Sequence, residues 1–251
     1  MLLRPDGDAV ICIGQPAHAW LSGQMAHQWG SAQFGPVEPR EEVCLAAEQH
    51  DAGMSDWDAA PELNRETGLP YSFIEMPLAT HMRLWTHAPE RVLSQSRYAA
   101  LLVSMHGTAL YEMRDLDRMS PSDAQAVRAY LDGQRALQAK LAAGLEGEDP
   151  ARIKRNQRLI WTWDFLSLAL CLRWQGRSLD GVPTADGNGA TVTVHEHTLD
   201  PWLFTQDAVT LHTEGRRLAG RFDDEDAMRA ALAGAPWVTL RFDLSRGGAG
   251  G

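Results

Sequence analysis

The apolar positions place one strand-like run near the start of the chain, a long helical middle and alternating runs towards the end. Ala9-Val10-Ile11-Cys12-Ile13 is an unbroken apolar run ended by Gly14, which predicts one short buried strand after the polar Arg4-Pro5-Asp6-Gly7-Asp8. Pro16 suits the first turn of a helix, and His18, Leu21, Met25 and Trp29 follow at steps of three or four residues. This puts His18 on the apolar face of a helix that stops near Gly30. Polar Gly35-Pro36-Val37-Glu38-Pro39 separates it from a second run, Glu41 to His50, in which Ala46 and Ala47 stand one turn before His50.

Gly53 to Pro70 reads as a long loop, the kind that is often functional in a compact domain. Helical runs follow at Pro77 to Trp85 and at Pro89 to Tyr111. Ser120-Pro121-Ser122-Asp123 offers caps for a helix reaching about Leu145, and Ala151 to Trp174 carries Trp161, Phe165, Leu168 and Leu172 on one face. From Gly176 the character changes. Turn residues run to Gly189, Thr191–Val194 and Val209–Leu211 alternate like strands, Asp223 to Ala233 is helical and Trp237–Phe242 is a last strand.

The expected fold is therefore mainly α. A helical domain would span residues 1–175, a smaller mixed α/β region 176–246 would pack on it, and the glycine tail 247–251 would be disordered.

Composition narrows the function. At 251 residues the chain can bury a substantial core, and 44% hydrophobic with 22% charged residues excludes wholesale disorder. A net charge of −10 leaves no excess of Lys and Arg to displace counterions, so nucleic acid and anionic membranes are not expected partners. A small molecule is. Cys12, Cys44 and Cys171 are odd in number and widely spaced, the N-terminus lacks the apolar core of a signal peptide, and no apolar run reaches membrane-spanning length. A cytoplasmic protein with reduced thiols is expected.

The candidate chemistry lies on the helices. His18, the His50-Asp51 pair, His81, His106 and Asp164 each have apolar neighbours one turn away. Neutral imidazole and ionised carboxylate are both metal ligands. Taken singly, each histidine also reads as a core residue satisfied by a backbone carbonyl. Asp164 shares its face with Trp161 and Leu168, where an ionised carboxylate needs either a metal or a cation such as Arg158 or Arg173. One metal centre explains all of these positions together.

The order of these residues resembles the HD superfamily of helical metal-dependent enzymes. His18-Ala19-Trp20-Leu21-Ser22-Gly23-Gln24-Met25-Ala26 is similar to its first-histidine helix, Leu45 to Gly53 to its signature helix and glycine turn, and Trp161 to Ser167 to the helix of its last aspartate. The chain also resembles a bacterial domain of unknown function. The HD resemblance implies one divalent ion on His18, His50, Asp51 and Asp164, and a second on His81 and His106 with Asp51 bridging. It implies iron, with manganese or zinc as alternatives. The separations of His81, His106 and Asp164 are similar to those in the di-iron oxygenases of the superfamily, so a binuclear oxygenase acting on a small polar molecule is expected ahead of a metal-dependent phosphohydrolase. A non-catalytic helical protein is the third reading.

Met54 departs from the lysine or histidine that often follows the signature glycine, which weakens both catalytic readings. His27 is a rival first ligand, about opposite His18 on the helix. Asp56 and Trp57 are candidate lid residues, and Arg83, Arg97 and Arg114 candidate anion contacts. His195 and His197 flank Glu196 with strand alternation, which fits a solvated strand face or a further metal pair.

Overall fold

The alternating run Ala208–Ala219 forms a 12-residue strand that ties the two ends of the chain into one sheet. The computed structural model describes residues 1–145 and 147–247; positions 248–251 of the expected disordered tail lie outside the described residues. In chain order the elements are β1 (Leu2–Asp6), β2 (Ala9–Ile13), α1 (Gln15–Gln28), α2 (Arg40–Gln49), α3 (Ser55–Ala59), β3 (Leu63–Asn64), β4 (Leu69–Pro70), α4 (Leu78–Leu93) and α5 (Arg97–Glu112). There follow α6 (Pro121–Ala143), α7 (Pro150–Leu172), β5 (Ser178–Pro183), β6 (Gly189–Val194), β7 (Leu199–Asp200), β8 (Ala208–Ala219), α8 (Glu225–Gly234) and β9 (Trp237–Ser245).

The expectation of a mainly helical protein is overturned. Of the described residues 50% are helical and 21% lie in strands, which form sheets of four, two and three strands. The large sheet has the order β1-β2-β8-β9, antiparallel throughout, so the N-terminal hairpin and the C-terminal strands share it. Strand β1 escapes a reading from pattern because Arg4, the residue that makes it look polar, lies on its buried side with Leu2. Pro5 is tolerated because β1 is an edge strand, where a missing N–H costs no ladder bond. Gly7, with φ of 64°, makes the tight turn between Asp6 and Ala9.

Two expected boundaries move. Helix α4 runs through Pro89 to Leu93 instead of breaking near Trp85. A proline inside a helix costs about 3 kcal/mol, but Leu84, Trp85, Ala88 and Val92 form one buried stripe that holds the turn in place. The break falls instead before Ser96, whose hydroxyl accepts from the Ala99 N–H and caps α5. The expected loop from Gly53 to Pro70 contains a 3-10 turn at Ala52–Met54, helix α3 and the β3–β4 hairpin.

Helices α1, α2, α5 and α7 pack against one another, and α1 also lies on β8. Trp29 of the α1 end stacks edge-on against Trp163 of α7, with both rings buried. Two glycines allow close approach. At Gly23 a Cβ would stand 2.0 Å from Glu48 Cγ, so α1 can cross α2 closely; at Gly53 it would stand 2.5 Å from the Leu84 carbonyl oxygen of α4. No helix among the described residues is long and apolar enough to cross a membrane.

Candidate metal centre

Four helical segments meet inside the bundle. His18 comes from the first turn of α1, His50 and Asp51 from the end of α2, His106 from the middle of α5 and Asp164 from α7. His18, His50 and His106 are each no more than 1% exposed, and Asp164, at 13%, is the member with access to solvent. His18 Nε2 lies 2.6 Å from Asp51 Oδ2. His50 Nε2 lies 3.7 Å from the same oxygen and 3.5 Å from Asp164 Oδ1, and His106 Nε2 lies 3.5 Å from Asp164 Oδ2. The His50 ring stands edge-on to those of His18 and His106.

The surrounding hydrogen bonds set the tautomers. His50 Nδ1 donates to the Ala47 carbonyl at 2.8 Å, which leaves Nε2 as a lone pair. The Ser167 hydroxyl donates to the Asp164 carbonyl, so its lone pair receives the His18 Nδ1 proton at 2.8 Å. Ser22 backs this contact, its hydroxyl 3.0 Å from that of Ser167. Metal-binding histidines are held this way, the distal N–H spent on a carbonyl or hydroxyl and the other nitrogen aimed inward.

His50 Nε2 has no hydrogen-bond partner, although it is fully buried beside two carboxylates. A buried acceptor facing acceptors is unfavourable unless a cation stands between them. The cation is not an arginine. Arg158 donates to the carbonyls of Asp180 and Gly181, and among the described residues no Lys or Arg reaches within 4 Å of Asp51 or Asp164. Two ligands on one ion at about 2.1 Å each stand about 3 to 4 Å apart, which the His50–Asp51 and His50–Asp164 separations match. The His18–Asp51 pair would part by about half an ångström to admit the ion. Two overlapping groups, His18-His50-Asp51 and His50-His106-Asp164, have the composition and spacing to hold a metal.

Electrostatics agree with this reading. Burial draws His50 towards its neutral form, but Asp51 and Asp164 outweigh it and raise its pKa to about 9. Burial opposes charge on both carboxyls, yet the histidines around them hold Asp51 and Asp164 below the usual carboxylate range. His106 is pushed down to about 4 by burial, which Asp164 only partly offsets. Without metal, the box holds a proton on His50 where it could hold an ion.

The remaining candidates lie elsewhere. Both ring nitrogens of His81 are engaged: Nε2 accepts from Trp85 Nε1 at 3.2 Å and Nδ1 donates to the Tyr111 hydroxyl. Burial, followed by nearby Arg114, lowers its pKa to about 4. His81 is therefore outside both groups of ligands, separated from His106 by the Trp85 ring. His27 is on the surface with Glu48, and His87 with Glu90. Trp57 belongs to the core, while exposed Asp56 pairs with Arg91. His195 and His197 are exposed in the bend after β6. Met54 is buried and turned into the core. Ser167 and Ser22, which fix His18, are the contributors that sequence reasoning passed over; each lies one helical turn from a ligand, which was the available signal.

A family model described as Protein of unknown function (DUF3891) matches residues 1–220, a span that includes all five residues of the box. No curated protein and no solved structure matches the chain.

Proposed function

The chain belongs to the DUF3891 family, and we propose that it is a metal-dependent enzyme of the HD type whose centre is built from His18, His50, Asp51, His106 and Asp164. The observation that carries this reading is His50 Nε2, a buried ring nitrogen without a hydrogen-bond partner among the described residues and within 3.7 Å of two carboxylates. Three imidazoles and two carboxylates form a mixed nitrogen and oxygen donor set that suits iron, manganese or zinc.

Within that class we favour a di-iron oxygenase acting on a small polar molecule. Iron held here would supply redox chemistry with dioxygen. The chain's own residues do the rest. Ser167 and the Ala47 carbonyl keep the protons of His18 and His50 on Nδ1, so each Nε2 faces the box without a change of tautomer. Asp164 offers the edge open to solvent, where a substrate oxygen can approach. Trp85 and Trp161 lie against His106 and keep bulk water from that side.

The second reading is a phosphohydrolase working through a metal-activated water. The engagement of His81 by Trp85 and Tyr111 favours it, because that leaves the second ion with fewer protein ligands.

Metal analysis of protein purified anaerobically separates the readings, with His50→Ala and Asp164→Ala beside the parent. The expected result is up to two irons per chain, lost from both folded variants, with dioxygen consumed on substrate addition. Redox-inert ions and anaerobic release of phosphate from an ester would establish the hydrolase instead. Folded protein that takes up no metal on reconstitution would overturn the enzyme reading and leave a binding or structural protein.

A further inference from the structure

Arg4 is a buried cation without a counter-charge. It is 9% exposed on the inward side of β1, and its Nη1 donates to the Cys171 carbonyl at the end of α7 at 3.3 Å. Its Nε has no partner. Asp6, two residues along the strand, is taken by Arg217 at 2.7 Å, and among the described residues no carboxylate comes within 4 Å of Arg4. Burial, deepened by Arg173, lowers its pKa, and Asp6 offsets this only in part.

Arg173 stands beside it. It ends α7 in the left-handed conformation with φ of 57°, a position where glycine is the usual choice, and unlike Arg4 it is exposed, with no ion pair among the described residues. Both arginines line a cleft of about 430 Å³ together with Gln175, His195 and His197. The acidic residues of the same cleft do little to neutralise them. Asp243 is held through both oxygens by Arg241, and Glu196 is 69% exposed with His197 3.9 Å away.

The end of α7 would ordinarily repel an anion through its free carbonyls. Here Ala169 accepts from the Trp174 N–H, Leu170 from the Arg173 N–H and Cys171 from Arg4, so three of its terminal carbonyls are already engaged. Capping alone would explain one N–H of Arg4. It does not explain the idle Nε of Arg4, which lies beside a second guanidinium free to share an anion.

We infer that this cleft is a binding site for a small organic molecule carrying a doubly charged oxyanion, of the phosphate-ester class, seated between Arg4 and Arg173. Paired guanidinium forks match tetrahedral oxyanions, and the cleft has room for a few carbons beyond the phosphate. The site is distinct from the metal box. Cys171 lies seven residues beyond Asp164 on α7, about 10 Å along the helix axis. The inference does not rest on the metal reading.

The test is calorimetric titration of the full chain with inorganic phosphate at pH 8, ionic strength held constant with chloride and acetate as the singly charged comparison. Parent protein, Arg173→Gly, Arg4→Met and His50→Ala are compared. Glycine suits the backbone at position 173, so that variant removes the guanidinium without straining the fold. The expected result is saturable binding at one site in the parent and in His50→Ala, at least about tenfold tighter for phosphate than for acetate, and at least about tenfold weaker in Arg173→Gly. Folded Arg4→Met should lose it altogether. Equal affinity in Arg173→Gly, loss in His50→Ala, or no saturation in the parent would each overturn the proposal, the second by placing the phosphate on the box. Metal content unchanged in Arg173→Gly would keep this result separate from the fate of the metal centre.

Discussion

With its Nδ1 proton committed to the Ala47 carbonyl, His50 presents Nε2 to Oδ1 of Asp164 at 3.5 Å, one acceptor facing another. The contact turns attractive when an ion lies between them or when the imidazole takes a second proton. Metal and proton therefore compete for one place. Loading at pH 7 should release about one proton per chain from His50, whose metal-free pKa is about 9. Titrations in buffers of differing ionisation enthalpy will count it, and zero release would contradict the assigned ligand.

Stability of the metal-free protein should peak near neutrality. His50 has a folded pKa of about 9 against an ordinary 6.5, so its contribution is complete below pH 6.5 and disappears as pH rises through 9. His81 and His106 behave oppositely. Their folded values of about 4 mean that the unfolded chain takes up protons first as pH falls from 6.5, which weakens the fold. Denaturant titrations of chelated protein should show losses on both sides, and His50→Ala should flatten the alkaline side and also alter the acid side, because His50 helps hold Asp51 and Asp164 down.

Ser167→Ala should weaken metal binding by about 10- to 100-fold while leaving the fold intact, since it frees the His18 ring to rotate and change tautomer. The hydroxyl touches His18 Nδ1 and no carboxylate. Competition with a chromophoric chelator gives the number, and an unchanged affinity would show that Ser167 has no part in holding the ligand.

Gly53→Ala should destabilise the protein by about 1 to 3 kcal/mol, as overpacking does. The added Cβ would meet the Leu84 carbonyl and the Ala88 side chain, which lie on a packed helix. A fall in melting temperature with weaker metal uptake is expected, because the turn at Gly53 directly follows Asp51. A stable variant with normal uptake would mean that α4 can yield there.

Trp57 and Asp56 should part company on mutation. Trp57→Ala should cost about 3 to 5 kcal/mol, the usual toll for a core aromatic, since the ring is buried in the main apolar cluster. Asp56→Ala, which breaks an exposed pair with Arg91, should change stability by less than about 0.5 kcal/mol. Thermal unfolding decides, and a neutral Trp57→Ala would return that ring to the role of a lid.

Helical periodicity made most of the box legible. His18 shares the face of Leu21 and Met25, and Asp164 that of Trp161 and Leu168, so both could be placed inward before any contact was known. Periodicity is a property of one helix at a time, and it misses what depends on two. His81 has inward neighbours like the others, yet Trp85 and Tyr111 take its nitrogens, a pairing across α4 and α5 that spacing does not encode. Three strands of the large sheet were legible as apolar or alternating runs, and β1 was missed for a related reason. Arg4 is inward because α7 offers it a carbonyl, and a pattern of apolar and polar letters scores that residue as surface. Pro89 misled similarly, since the stripe of Leu84, Trp85, Ala88 and Val92 outweighs its local preference.

Strand β2 ends at Ile13 and its partner β8 begins at Ala208, with the helices that carry the box between them. A ribosome adding about 5 to 20 residues per second needs roughly ten to forty seconds to span that interval. During that time the β1–β2 hairpin leaves the tunnel with one edge bare, while α1, α2, α5 and α7 can already assemble. All five residues of the box are thus synthesised before the strand that closes the sheet, and β8 is the late-arriving clasp. A nascent chain stalled before residue 208 would expose a bare strand edge beside a finished bundle, an invitation to chaperones or to misplaced strand pairing.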